Sequence, residues 1–295
     1  AEASGITLVE EPLNPWKATS TGVGEMILDA VQKGRRKFII GIGGSATTEG
    51  GIGMLSALGY DFMDENGDRL SPVFDSLEKV VQIKNNRVPE VLKDCHFQIA
   101  CDVTNPLCGA RGCVYVFGAQ KGVKEEEKES MDRAMQSYAA CLEKFTGKKL
   151  SEIPGTGAAG GLGFAFLWGL PNVELKPGID IVLEAVGLAS ELQDADIVVT
   201  GEGCLDFQTA MGKVPVGVAK IAKNYNCKVI AFAGSVTEEA KKCNEKGIDA
   251  FFSILPGVCS LDEAMDTEIA QKNMRNAAEQ VFRLILALLK EKCCE

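Results

Sequence analysis

The stretch Thr200–Lys213 (TGEGCLDFQTAMGK) carries the densest set of groups able to do chemistry. Two carboxylates, Glu202 and Asp206, are followed by Gln208, Thr209 and Lys213 before the next helix begins. Divalent-metal ligation and general-base work require a carboxylate, and phosphoryl transfer requires a cation near the moving oxygens, so this segment supplies both types. Asp206 is the candidate base or metal ligand, Glu202 a metal or water ligand, and Lys213 a phosphate cation. Gln208 and Thr209 are candidate substrate or phosphate contacts.

Four other loops extend the inventory. Gly41–Gly53 (GIGGSATTEGGIG) has six glycines in thirteen residues directly after an apolar run. Glycine lets the backbone turn tightly and approach a ligand, and amides at a following helix N-terminus can face an anion. Gly43, Gly44 and Ser45 are therefore candidate phosphate or carboxylate binders, with a tight turn packing a helix onto a sheet as the alternative. No Lys follows as in GxxxxGK[ST], and GxGxxG fits only loosely. In Ala100–Gly109 (ACDVTNPLCG), Asp102 can hold Mg²⁺ through water while Thr104 and Asn105 bond hydroxyls or phosphate, the alternative being an Asx turn that ends a strand. Gly118–Gly122 (GAQKG) sets Lys121 between small residues, as a point charge for phosphate or as a solvated turn residue. Gly155–Gly163 (GTGAAGGLG) suits close helix packing or a second anion-binding turn.

These loops need strands to present them. From residue 196 on, short apolar runs alternate with helical patterns: strands at 196–200, 228–233 and 250–255, helices at 217–225 and 238–246, and a closing helix over 267–290. That alternation predicts βαβ units around a parallel sheet. Earlier, KFIIGI (37–42) and FQIAC (97–101) read as strands ending in polar or Gly-rich turns, Asp64–Asp68 as a hairpin or tight loop, and KEEEK (124–128) as the opening of a helix to Phe145. Ligands of open α/β sheets bind beyond the carboxyl ends of the strands, where these loops fall.

Composition narrows the classes. With 31 Lys and Arg against 41 Asp and Glu, the net charge of −10 argues against nucleic-acid or anionic-membrane binding, which relies on clustered positive charge. No run reaches the roughly 20 apolar residues that span a bilayer, and AEASGITLVEEPLNP lacks the basic and apolar regions of a signal peptide, so a cytoplasmic protein is expected. The chain opens at Ala1 without Met, as a processed or truncated product would. Eleven Cys without a CxxC pair, and a single histidine, His96, at the start of the FQIA run, predict reduced thiols and leave little basis for zinc or Ser-His-Asp chemistry. The pair Cys293–Cys294 reads as incidental to a terminal helix. The inventory favours phosphoryl transfer, and residue types alone do not name the acceptor.

The ordered stretches GIGGSATTEGGIGM, ACDVTNPLCG, FGAQKG, GTGAAGGLG and TGEGCLDFQTAMGK resemble the bacterial glycerate kinase family of type I, also called class II. The likeness runs from Ala3 to the final helix. It implies ATP- and Mg²⁺-dependent phosphorylation of D-glycerate to a phosphoglycerate. By the same resemblance the fold is α/β with two domains, a larger irregular one over residues 1–190 and an incomplete Rossmann-like parallel sheet over 191–295, with glycerate and ATP in a cleft between them.

The sequence departs from the family pattern in places: Thr48-Glu49 stands where Asn-Asp is usual, Cys204 where Arg is usual, Ala119 where Pro is usual, and Thr21 near a usual aromatic. Losing an Arg at 204 removes a bidentate contact to phosphate or carboxylate. Family members also begin with a segment containing a PDSFKGS-like motif and a DGGEG-like turn, which this sequence lacks; by the resemblance, the C-terminal sheet would then be short of a strand and the cleft short of a wall. Two other readings follow. One is a nucleotide- or sugar-acid-binding protein without catalysis. The other is a dinucleotide-dependent oxidoreductase, although no acidic residue stands at the ribose-binding spacing after Gly41.

Overall fold

A computed structural model describes residues 3–10 and 12–292, with the side chains of 290–292 left out. The chain forms two compact units, Ala1–Ile181 and Val182–Glu295.

In the first unit, β1 (Lys37–Gly41), β4 (His96–Ala100) and β5 (Val173–Lys176) make a three-stranded parallel sheet in the order β1-β4-β5. A separate antiparallel pair joins β2 (Asp61–Met63) to β3 (Gln82–Lys84). The Asp64–Asp68 stretch is the tight loop after β2, with Gly67 at φ 81° and an isolated bridge from Met63 to Arg69. Helices α1 (Thr21–Gln32), α2 (Ile52–Ala57), α3 (Cys113–Phe117), α4 (Lys128–Thr146) and α5 (Leu162–Gly169) complete the unit. α5 is apolar on every side and, apart from the half-buried Leu167, enclosed in the core with Leu55, Phe97 and Tyr138, as an all-round hydrophobic helix must be. His96 lies exposed at the amino end of β4, away from the loops at the carboxyl ends.

The second unit is built on β6 (Ile197–Leu205), β7 (Lys228–Val236) and β8 (Ala250–Ser253), all parallel in the order β6-β7-β8. α6 (Phe207–Ala210) and α7 (Val214–Lys223) follow β6, and α8 (Thr267–Lys292) closes the chain. The parallel sheet agrees with the alternating pattern; several boundaries do not. β6 does not stop at Thr200 but runs through Gly-Glu-Gly-Cys to Leu205, and β7 continues past Ala233 to Val236, because the ladder pairs Glu202 with Ala233 and Leu205 with Val236. Gly201 makes this possible: a Cβ there would sit 2.3 Å from the Phe232 carbonyl oxygen. Glu202 is therefore a strand residue and not part of a turn. Residues Glu238–Lys246 form a 3-10 helix, and α7 begins at Val214, with Pro215 in its first turn, where proline is tolerated.

The described cysteines are all free thiols, and Cys293–Cys294 lies outside the described residues. No described helix is long and apolar enough to cross a membrane.

One buried carboxylate ties the first unit together. Glu49 is fully enclosed and accepts from the Ser20 amide (2.7 Å), the Ser20 hydroxyl (2.5 Å), and the amides of Gly51 (2.7 Å) and Gly53 (3.3 Å). The Ser20 hydroxyl accepts in turn from the Met54 amide at 2.9 Å. Thus the N-terminal donors of both α1 and α2 converge on one acid, which suits the positive end of a helix. Burial pushes its carboxyl above the ordinary range, and the donors from Ser20, Gly51 and Gly53 oppose that rise. Glu49→Ala strands these donors in the core and is expected to lower unfolding free energy by at least about 3 kcal/mol in urea titrations. Loss of less than about 1 kcal/mol would contradict this role.

Candidate active site

The carboxyl ends of β1 and β4 open onto a pocket of about 280 Å³ that lies wholly within the first unit. Gly43, Gly44, Ser45, Asp102 and Lys121 all line it. Three separate sequence motifs therefore meet at one place. Gly44 takes φ 68°, a conformation that glycine adopts readily, and a Cβ at Gly43 or Gly44 would meet only open space. The amides of Gly43, Gly44 and Ser45 have no hydrogen-bond partner among the described residues.

Lys121 is not the solvated turn residue that the sequence leaves open. It is only 3% exposed, and its Nζ donates to Ser45 Oγ at 2.9 Å and to the Thr47 carbonyl at 2.6 Å. An ammonium has three donors, and among the described residues no carboxylate forms an ion pair with this one. Burial lowers its pKa to about 8, against a smaller upward pull from Cys113 and Glu49.

The GTGAAGGLG loop supplies the pocket's far side, a contribution the sequence left divided between packing and binding. Both occur. A Cβ at Gly160 would lie 2.0 Å from the Thr47 carbonyl, so this turn must approach the β1 loop closely. Ala158 and Ala159 line the pocket, and Ala159 holds φ 52°, a left-handed conformation costing about 1–2 kcal/mol for a residue with a Cβ. Such strain concentrates at functional sites. Ile6 and Gln120 also border the pocket without having been singled out from sequence; Gln120 had its place beside Lys121 as a signal, whereas Ile6 is brought there only by the fold, its amide donating to the Gly44 carbonyl.

The remaining first-unit candidates divide. Asp102 is exposed; its Oδ1 accepts from the Gly178 amide at 2.9 Å, and Oδ2 has no partner among the described residues. Thr104 is exposed and is not among the pocket residues. Asn105 acts as a loop clamp: its Nδ2 donates to the Arg111 carbonyl at 2.8 Å, and its own carbonyl accepts from Gly155 (3.2 Å) and Gly157 (3.0 Å).

In the second unit, Asp206 is the N-cap of α6. Its Oδ1 accepts from the amides of Gln208 (2.8 Å) and Thr209 (3.0 Å), and Lys213 Nζ stands 3.9 Å away. The buried Thr209 hydroxyl accepts from the Asp206 amide and donates to Glu202 Oε1. One network thus holds Glu202, Asp206 and Thr209, with Gln208 exposed beside it and Lys213 at its edge. The Thr209 amide first, and the Lys213 charge after it, hold the Asp206 carboxyl below its ordinary range. That makes it a weaker proton acceptor than its position after the strand implies.

The profile of the Glycerate kinase family matches residues 1–286 of this chain. The chain belongs to the glycerate kinase family. It is 42% identical over 284 residues to the glycerate kinase of Bacillus subtilis strain 168, a match covering 95% of this chain and 74% of that protein. It is 44% identical over 265 residues to the glycerate 2-kinase of Escherichia coli K12, covering 90% of this chain and 69% of the relative. A crystal structure described as glycerate kinase 2 from Salmonella typhimurium LT2 superposes with a TM-score of 0.84 at 42% identity, over 97% of this chain and 74% of that one. Membership makes the chain an enzyme of the kinase class, as the motifs imply, and sets the dinucleotide-oxidoreductase reading aside.

Lys121 gives this family member a pH signature. Its folded pKa of about 8 lies below the ordinary 10.5, so between these values the unfolded chain binds more protons and stability rises with pH. Below about pH 8 the buried charge is a full burden on the fold. Chemical denaturation from pH 7.5 to 10.5 is expected to show this rising contribution in the unaltered protein and its absence in Lys121→Met; equal slopes in the two proteins would contradict it.

Proposed function

We propose that this protein transfers the γ-phosphoryl group of ATP to a hydroxyl of D-glycerate in the presence of Mg²⁺. The observation that carries the reading is the buried Lys121 ammonium at the strand-end pocket, bonded to Ser45 and Thr47 and without a carboxylate ion pair among the described residues, in a chain of the glycerate kinase family. A buried cation without a carboxylate partner is costly unless an anion completes it, and both proposed substrates are anionic.

The Glu202–Lys213 network is assigned to the nucleotide. Lys213, 44% exposed at its side chain and 3.9 Å from Asp206 Oδ1, offers a cation that can reach phosphate oxygens, and the Glu202–Thr209–Asp206 bonds hold its surroundings rigid. Mg²⁺ takes oxygen ligands, keeps several waters and binds through one or two carboxylates plus substrate phosphates. Glu202 fits that demand as a single carboxylate whose Oε2 has no partner among the described residues. Glu202 would hold the ion, whose chemistry is to offset charge on the transferred group. The bonded Thr209 hydroxyl fixes the direction of the Glu202 carboxylate. The chain's own part is then positioning and charge stabilisation.

Two measurements test the reading. ADP release coupled to NADH oxidation should appear with ATP, Mg²⁺ and D-glycerate together and vanish when glycerate is omitted. Lys213→Met should lower kcat/KM by about 100-fold, the scale for losing one group that stabilises developing charge, with the fold intact. A folded protein that binds both ligands but releases no ADP would instead support a binding protein without catalysis.

A further inference from the structure

Within that reading, the first-unit pocket can be given its own ligand. We propose that it binds the hydroxy acid and not the nucleotide: the carboxylate on Lys121, Ser45 and the Gly43–Ser45 amides, a hydroxyl on Asp102, with Asp102 taking the hydroxyl proton during transfer.

Charge is the first argument. The pocket presents one enclosed cation and one carboxylate, Asp102. A triphosphate brings several negative charges to a single lysine and sets them against Asp102. A monocarboxylate brings one, which matches Lys121, while its uncharged hydroxyl meets the acidic side chain as a donor meets an acceptor. Size is the second. At about 280 Å³ the pocket falls just below the roughly 300–1,000 Å³ typical of sites for drug-sized ligands, so a three-carbon acid lies within it, whereas a nucleoside triphosphate would have to extend out of its open mouth. Shape is the third. Ile42 and Phe117 give the pocket apolar wall for a carbon skeleton, with the polar groups at Ser45, Lys121 and Asp102.

Asp102 also suits proton transfer better than Asp206. The Gly178 amide holds its Oδ1 at 2.9 Å and so orients the carboxylate, leaving Oδ2 without a partner among the described residues. Asp206 likewise leaves Oδ2 without a partner among the described residues, but its Oδ1 accepts from two amides, Gln208 and Thr209, with Lys213 Nζ 3.9 Å away, and these contacts favour its charged form and weaken it as a proton acceptor. In the step proposed, the substrate oxygen forms a bond to the γ-phosphorus of ATP and the bond from that phosphorus to the β,γ-bridging oxygen breaks. ADP departs with the electron pair, and the hydroxyl proton passes to Asp102. The geometry thus moves Asp102 from metal ligand to substrate contact.

The test is titration calorimetry of the 295-residue protein with D-glycerate, propionate and MgATP, none of which requires turnover. Lys121→Met is expected to weaken D-glycerate and propionate by about 10- to 100-fold, the scale of a charge-assisted contact, and to leave MgATP within about twofold. Asp102→Asn is expected to weaken D-glycerate but not propionate, which has no hydroxyl. At saturating substrates it should also lower kcat by at least about 100-fold. Asp102 is exposed, so its variant folds even if Lys121→Met does not, and circular dichroism checks both.

Weakened MgATP with unchanged D-glycerate in Lys121→Met, or no D-glycerate binding by the unaltered protein, would overturn the pocket assignment. Unchanged kcat in Asp102→Asn would overturn the proton-acceptor role. D-glycerate bound in this way without ADP release would sink the kinase reading and leave the pocket standing. Normal turnover with D-glycerate binding insensitive to both variants would do the reverse.

Discussion

The ammonium of Lys121 sits inside the first unit on two oxygens, Ser45 Oγ and the Thr47 carbonyl, and has no ion pair among the described residues. A cation so placed burdens the fold, and burial lowers its pKa accordingly. An arrangement that costs stability and persists is best understood as prepared for an anion. Charge on the ligand would return what burial removes, and it would do so beside the carboxyl ends of β1 and β4, where the loops open.

Keeping that ammonium in place demands a rigid frame behind it. The Thr47 carbonyl belongs to the loop that continues into Glu49, and Glu49 fastens the starts of α1 and α2 through the bonds from Ser20, Gly51 and Gly53. On the other side, the Gly50 amide donates to the Gly160 carbonyl at 2.9 Å, which seats the Ala159–Gly161 turn against the same loop. The glycines at 51 and 160 are therefore consequences of close approach: a Cβ at Gly51 would come within 2.2 Å of Ala165, and one at Gly160 within 2.0 Å of the Thr47 carbonyl. Glu49 occupies a place where the family resemblance puts an Asp. The longer side chain reaches the donors of two helices at once.

The sequence made the second unit's sheet legible because strands buried in a parallel sheet are short apolar runs, and these alternate with helical stretches. Where β6 ends was not legible: the strand pattern stops at Thr200, before Gly201, Glu202 and Gly203, yet the strand continues through them to Leu205, and at Gly201 the approach to Phe232 requires a residue without Cβ. The candidate site was legible in type and not in environment. Ser45 and Lys121 were both singled out, but 76 residues separate them, and local pattern cannot reveal that one buries the other's charge. Glu49 entered the sequence reading only as a departure from the family pattern, and only the convergence of Ser20, Gly51 and Gly53 shows it to be core. Asp206 stood out as a base from its place after a strand, whereas its Gln208 and Thr209 contacts show an N-cap.

The central claim is that the Lys121 pocket is where the acid substrate's carboxylate sits. The most direct measurement is a crystal structure of the protein grown with D-glycerate and a non-hydrolysable ATP analogue. The glycerate carboxylate is expected within hydrogen-bonding distance of Lys121 Nζ and Ser45 Oγ, and a glycerate hydroxyl on Asp102. Analogue phosphates occupying Lys121, with glycerate bound elsewhere, would contradict it.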